Sequence, residues 1–125
     1  MSLEITETER EGVVILALKG RLTMGESGAV REKVNQVVAR GQFNIIFDLA
    51  HCDYIDSTGL GSMVICYTTL KKAGGALKLV NLNKRNIELL LLTKLSTIFE
   101  IFGDPQDAVN SYFPDRGIKH FKDRG

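Results

Sequence analysis

A chain of 125 residues suits one domain with a proper buried core, and its apolar and charged fractions of 44% and 25% are those of an ordinary soluble globular protein. The formal net charge is +1 and no Lys/Arg cluster lies on a predicted helix face, which argues against nucleic acid as a partner. No apolar run approaches the roughly 18 residues that cross a bilayer, and Met1-Ser2-Leu3-Glu4 lacks the basic start of a secretory signal, so the expectation is a chain with no signal peptide and no membrane partner.

Leu3 to Thr8 alternates apolar and polar residues and reads as an edge strand. Glu11-Gly12 carries turn chemistry, and Val13 to Leu18 reads as a more buried strand, the second arm of a hairpin. Lys19-Gly20-Arg21-Leu22 closes it, with Gly20 allowing a bend. Thr23 to Gly28 is a loop and helix entrance. Val30, Val34, Val37 and Val38 then form one stripe of an amphipathic helix, with Gly41 as its stop. Phe43 to Leu49 is a continuous apolar strand of the kind buried on both faces of a partly parallel sheet.

The next helix is expected from Ser57 to Ala73, with Leu60, Met63, Val64, Tyr67 and Leu70 facing the sheet and Gly74-Gly75 ending it. Leu77 to Val80 is a strand. Asn83 or its neighbour caps a third helix reaching Lys94, whose centre, Leu89-Leu90-Leu91-Leu92, has no polar side, so part of it is expected to be exposed. Ile98 to Phe102 is a last short strand or extended piece. Asp104 and Pro105 start a final helix covering Ala108 to Phe113, and Pro114 stops it. From Asp115 the tail is polar, with only Ile118 and Phe121 as large apolar residues, and is expected to be loosely held. Strands alternating with helices define an α/β domain over 1–114: an antiparallel hairpin first, then parallel crossovers, with about four helices.

The chemistry gathers in Tyr54-Ile55-Asp56-Ser57-Thr58-Gly59-Leu60-Gly61, where a strand gives way to a helix. Asp56, Ser57 and Thr58 are all good cap types, and the glycines are expected to leave the backbone lightly covered. Unpartnered first-turn N–H groups and the helix dipole favour negative charge, phosphate included. Ser57 is therefore a cap, a phosphate carrier, or both. Working sites in open α/β sheets collect beyond the carboxyl ends of parallel strands, which suits this loop.

A nucleophilic Ser57 needs a base and an orienting group. The two histidines are His51, on the same loop, and His120, in the tail; the G-x-S-x-G elbow is absent and nothing supplies a substrate pocket, so enzyme chemistry is not expected. Gly59-Leu60-Gly61 lacks the lysine and spacing of a phosphate-binding loop. His51-Cys52-Asp53 reads as a polar loop rather than a metal site, because three adjacent ligands rarely converge. Cys66 reads as a small buried hydrophobe. The two cysteines form no C-x-x-C, which fits a reducing, cytoplasmic setting. No cofactor is indicated.

Gly20-Arg21-Leu22, Asp48-Leu49, the Tyr54 to Gly61 segment, and Gly74-Gly75 before Leu77-Lys78-Leu79 together resemble the STAS domain, and more narrowly the bacterial anti-sigma factor antagonists. The resemblance covers roughly Leu3 to Phe113. It implies a mixed sheet with an antiparallel first hairpin. It also implies that Ser57 is phosphorylated by a partner that is both anti-sigma factor and serine kinase, with Thr58 the lesser candidate. The unphosphorylated form would sequester that partner and release a sigma factor, and a metal-dependent serine/threonine phosphatase would reset it. The partner-facing residues implied are Thr23, Asp56, Ser57, Thr58, Gly59, Leu60 and Gly61. Thr23 stands where many members carry an acidic residue, and Lys94-Leu95 where many carry Gly-Leu. The other reading kept open is a STAS subunit of a transport or signalling assembly, with Ser57 as a cap alone.

Overall fold

In a computed structural model, which describes residues 3–116, the chain opens with the expected hairpin. Strand β1 (Glu4–Arg10) pairs antiparallel with β2 (Val13–Leu22) from Glu4 opposite Lys19 to Arg10 opposite Val13. Between them Glu11 and Gly12 both take positive φ, 53° and 84°, the tight turn whose twist matches a hairpin. There follow α1 (Ser27–Ala39), β3 (Asn44–Asp48), β4 (Cys52–Ile55), α2 (Ser57–Lys72), β5 (Ala76–Val80), α3 (Lys84–Leu92), a single 3-10 turn (Leu95–Thr97), β6 (Ile101–Phe102) and α4 (Pro105–Asn110). The sheet order is β1-β2-β3-β5-β6, and every pairing after the hairpin is parallel.

Strand β2 has two parallel partners in succession. Val14 to Ala17 lies against β3; after a bulge at Gly20/Arg21 its far end, Gly20 to Leu22, lies against β4. Gly20 supplies the φ of 118° that the shift requires. Strand alternation then splits the core. Val14, Leu16 and Leu18 face Val30, Val34 and Val37 of α1, Met63, Cys66 and Leu70 of α2, and Leu90 of α3. Val13 and Ile15 face the other way, onto Ile46, Val80, Phe102 and the Ala108-Val109 pair of α4. Both faces of β3 are thus covered, which is why its sequence shows no alternation. Each such buried aliphatic side chain contributes about 1.5–3 kcal/mol.

Some expectations need correcting. The segment after Asp48, read as a polar loop, contains β4, and Cys52 is buried at 1% exposure. The reach of β2 beyond its bulge provides the template that four residues alone do not advertise. The β3 strand begins at Asn44, with Phe43 partly exposed ahead of it. Helix α3 stops at Leu92 because Thr93 closes it and Lys94 adopts a left-handed φ of 64°. Leu90 is buried while Leu91 and Leu92 are exposed. Helix α4 ends at Asn110 instead of Phe113, and the Tyr112 hydroxyl lies 2.7 and 2.8 Å from the carbonyl oxygens of Ile45 and Ala76. Of the expected loose tail, Asp115 and Arg116 are exposed, and Arg116 pairs with Glu11 at 2.7 Å. The remainder, including Ile118, His120 and Phe121, lies outside the described residues.

Candidate functional site

The two strands that end side by side, β2 at Leu22 and β4 at Ile55, deliver their following residues to one place. The residue that joins them is Asp56. Its backbone is extended, with φ −97° and ψ −178°, so it stands as the N-cap of α2. Its Oδ1 accepts from the Gly59 N–H at 2.7 Å and its Oδ2 from the Met24 N–H at 3.3 Å. Its own N–H donates to the Leu22 carbonyl at 3.1 Å. One carboxylate therefore fixes both the start of α2 and the loop before α1.

Because Asp56 is the cap, Ser57 becomes the first helical residue and its hydroxyl is not used in capping. Ser57 and Thr58 are both exposed. The glycines divide. Gly61 is exposed, with open space where a Cβ would go. Gly59 is buried, and a Cβ there would fall 2.2 Å from the Leu22 carbonyl oxygen. The expectation that Gly59 leaves the surface open is thus corrected: it lets α2 lie against the end of β2. Leu60, at 6% exposure, belongs to the core.

The neighbouring loop is held by its own bonds. The N–H groups of Glu26 and Ser27 both donate to the Thr23 carbonyl at 3.0 Å, and the half-buried Thr23 hydroxyl donates to the Glu26 carboxylate at 3.2 Å. At its tip Met24 is 72% exposed. Thr23, Met24, Ser57, Thr58 and Gly61 are thus set on the two elements that Asp56 ties together, while Gly59 and Leu60 support them from below.

Sequence reasoning missed the struts behind this surface. The Arg21 and Arg85 guanidinium groups lie 4.4 and 4.0 Å from the centre of the Tyr54 ring, and Arg85 also donates to the Ile55 carbonyl at 3.2 Å. Buried Asn86 donates to the Cys52 carbonyl at 2.9 Å, and its N–H is capped by the Asn83 side chain at 2.8 Å. Arg21 and Tyr54 become neighbours only once β4 is seen to pair with β2; no spacing signal reveals it. Burial pushes the Cys66 thiol up to about 12 and raises that of Cys52. Among the described residues no group of three or more His, Cys, Asp or Glu is placed to hold a metal, and no helix is long and apolar enough to cross a membrane.

The sheet is mixed, and at the start of α2 it presents an exposed serine next to the carboxylate that caps the helix. The family model for the STAS domain matches residues 4–108. The anti-sigma-B factor antagonist of Bacillus subtilis (strain 168) is 30% identical over 109 residues, spanning 87% of this chain and 99% of that protein. The chain belongs to the STAS domain family and, within it, to the anti-sigma factor antagonists. A crystal structure of a Thermotoga maritima protein classed with the same antagonists aligns with a TM-score of 0.81 at 25% identity, covering 86% of this chain and 92% of that one. SpoIIAA of Bacillus shares the fold in both its unphosphorylated and phosphorylated forms, each with a TM-score of 0.67, at 15% and 17% identity. Those alignments cover 91% and 88% of this chain and 99% and 98% of SpoIIAA.

Proposed function

We propose that this chain is a phosphorylation-switched antagonist: unmodified, it sequesters an anti-sigma factor that is also a serine kinase, and so releases a sigma factor. Ser57 is the acceptor. The observation that carries the reading is an exposed hydroxyl at the first position of α2 whose capping duty has been taken by Asp56. The names of relatives add support, since the Bacillus subtilis protein is an anti-sigma-B factor antagonist and SpoIIAA has been solved in a phosphorylated form.

In this reading the partner does the chemistry. The Ser57 oxygen attacks the γ-phosphorus of ATP bound to the kinase, ADP leaves, and the serine proton passes to a base on the kinase. The chain needs no catalytic residue of its own. A metal-dependent serine/threonine phosphatase reverses the step by hydrolysis. The added charge of about −1.5 to −2 at pH 7 is mildly favourable at a helix start, typically 0.3–1 kcal/mol. At a docked surface the same charge meets desolvation or like charge, at a cost on the order of 2–5 kcal/mol. That corresponds to roughly 30- to several-thousand-fold in affinity. The interface term wins, so docking fails while the fold persists.

The test compares Ser57→Asp with Ser57→Ala against the kinase that phosphorylates the wild-type chain. Both variants keep the wild-type melting profile, and only Ser57→Asp loses affinity, by at least about 30-fold in a calorimetric titration. Equal affinity of the two variants sinks the reading.

A further inference from the structure

Strand β1 is one border of the sheet, and among the described residues no strand lies along its outer edge. Nor does any of its backbone groups bond outside the hairpin there. Such a row of open N–H and C=O groups is a template for another strand, and edges are ordinarily blunted by proline, lysine, a bulge or shortness. β1 uses none of these: its seven residues, Glu-Ile-Thr-Glu-Thr-Glu-Arg, pair with β2 without a break in register.

Hairpin geometry says which groups are open. Arg10 and Val13 close the two-residue turn, so they exchange both of their backbone bonds, and alternate residues back along the strand do the same. Thr8, Thr6 and Glu4 therefore turn their backbone toward β2, while Ile5, Glu7 and Glu9 turn theirs outward. A second antiparallel strand must set outward residues opposite one another. The register that pairs the whole of β1 with itself does so: Ile5 falls opposite Glu9, and Glu7 opposite Glu7.

The side chains fit that register. On the face away from α1, exposed Glu4, Thr6, Thr8 and Arg10 of one copy meet Arg10, Thr8, Thr6 and Glu4 of the other. The row is its own complement, with opposite charges at both ends and threonine against threonine between them, pairs that each favour a sheet. Among the described residues neither Glu4 nor Arg10 has a salt bridge within the chain. The bond from Arg10 to Gln106, at 3.2 Å, leaves most of its guanidinium donors free. On the α1 face the two Glu7 carboxylates repel, but each already lies against Lys33, at 2.8 Å, and Arg40, so the charge there is more than balanced.

We propose that two copies of this chain join edge to edge through β1, antiparallel about a two-fold axis at Glu7, so that their sheets run on as one. Ser57 stands on α2, off this seam, and the dimer presents it twice, at opposite ends. The proposal does not depend on Ser57 being modified.

Sedimentation of the full chain over about 5–500 µM, near neutral pH, tests it. A pairing of two short strands sits at the weak end of the interface range, so half-dimerisation is expected at roughly 10–100 µM. Glu4→Arg sets Arg against Arg at both ends of the seam, and Arg10→Glu sets Glu against Glu. Each is expected to weaken dimerisation about tenfold or more while the melting profile stays that of the wild type. An equimolar mixture of the two variants regains both opposite-charge pairs and is expected to associate as the wild type does, as is the double variant Glu4→Arg/Arg10→Glu. A wild-type chain that stays monomeric throughout overturns the proposal, whatever covers the edge instead. So does a dimer that both single variants leave intact, since the second copy then sits elsewhere, and so does a mixture that associates no better than its components.

Discussion

At Gly59 there is no room for a methyl group, and at Gly61, two residues on, there is nothing but room. A Cβ at 59 meets backbone, which cannot swing aside as a side chain would, so Gly59→Ala is expected to destabilise by about 3 kcal/mol. Gly61→Ala sits in an exposed helical turn and is expected to stabilise by about 0.5–1 kcal/mol. Denaturant midpoints of the two variants check both signs at once. Lys94 presents the opposite case: a side chain held at a left-handed φ of 64°, the region that favours glycine. Lys94→Gly is expected to gain about 0.5–1 kcal/mol by relieving that conformation, measured in the same way. The hydroxyl and carboxylate types of the Asp56-Ser57-Thr58 run were visible in the chain. Which of the three caps the helix was not, because the answer lies in one ψ angle and in the Met24 N–H that Asp56 also holds.

Single elements are pinned to one another by a few charges. Glu7 on β1 meets Lys33 at 2.8 Å and Arg40, both on the α1 side of the sheet. Hydrogen bonds from Arg40 and then Lys33 hold its carboxyl at about 2, well below the ordinary 4.5. A depressed carboxylate adds stability that is present above the unfolded value of 4.5 and is lost as pH falls from there toward 2. Glu7→Gln is therefore expected to cost about 1 kcal/mol at pH 7 and nothing near pH 2, with the two stability curves converging in between. Elements with long periodic stretches were legible from the chain: the valine stripe of α1, the run of β3, and α2 ahead of Gly74-Gly75. β4 was not. Four residues with apolar side chains only at Cys52, Tyr54 and Ile55 carry too little pattern, and their strand character comes from β2 and from the Asn86 bond to the Cys52 carbonyl.

Among the described residues, three helices cover one face of the sheet and the short α4 covers the other. The order of strands and helices implied this class of fold. It did not reveal that Lys78 would be buried beneath α4, with its Nζ 3.1 Å from Glu100 and 2.7 Å from the Ser111 hydroxyl. Both cysteines, Cys52 on β4 and Cys66 on α2, belong to the core between the sheet and α1, α2 and α3, fully buried and with raised thiols. At pH 8 in native buffer both are expected to resist thiol reagents, and both to react once denaturant opens the chain, with the native labelling rate tracking global unfolding.

The division of β2 between two parallel neighbours has a kinetic consequence. Its first half finds β3 across a connection that includes α1, and its second half finds β4 across one of nearly the same length, as Val14 opposite Ile45 and Leu22 opposite Ile55 show. Contacts between residues so distant in sequence close slowly. The surface at the ends of β2 and β4 is therefore expected to form along with the β2–β3 pairing, so that disturbing either half of β2 is felt at Asp56 and the start of α2.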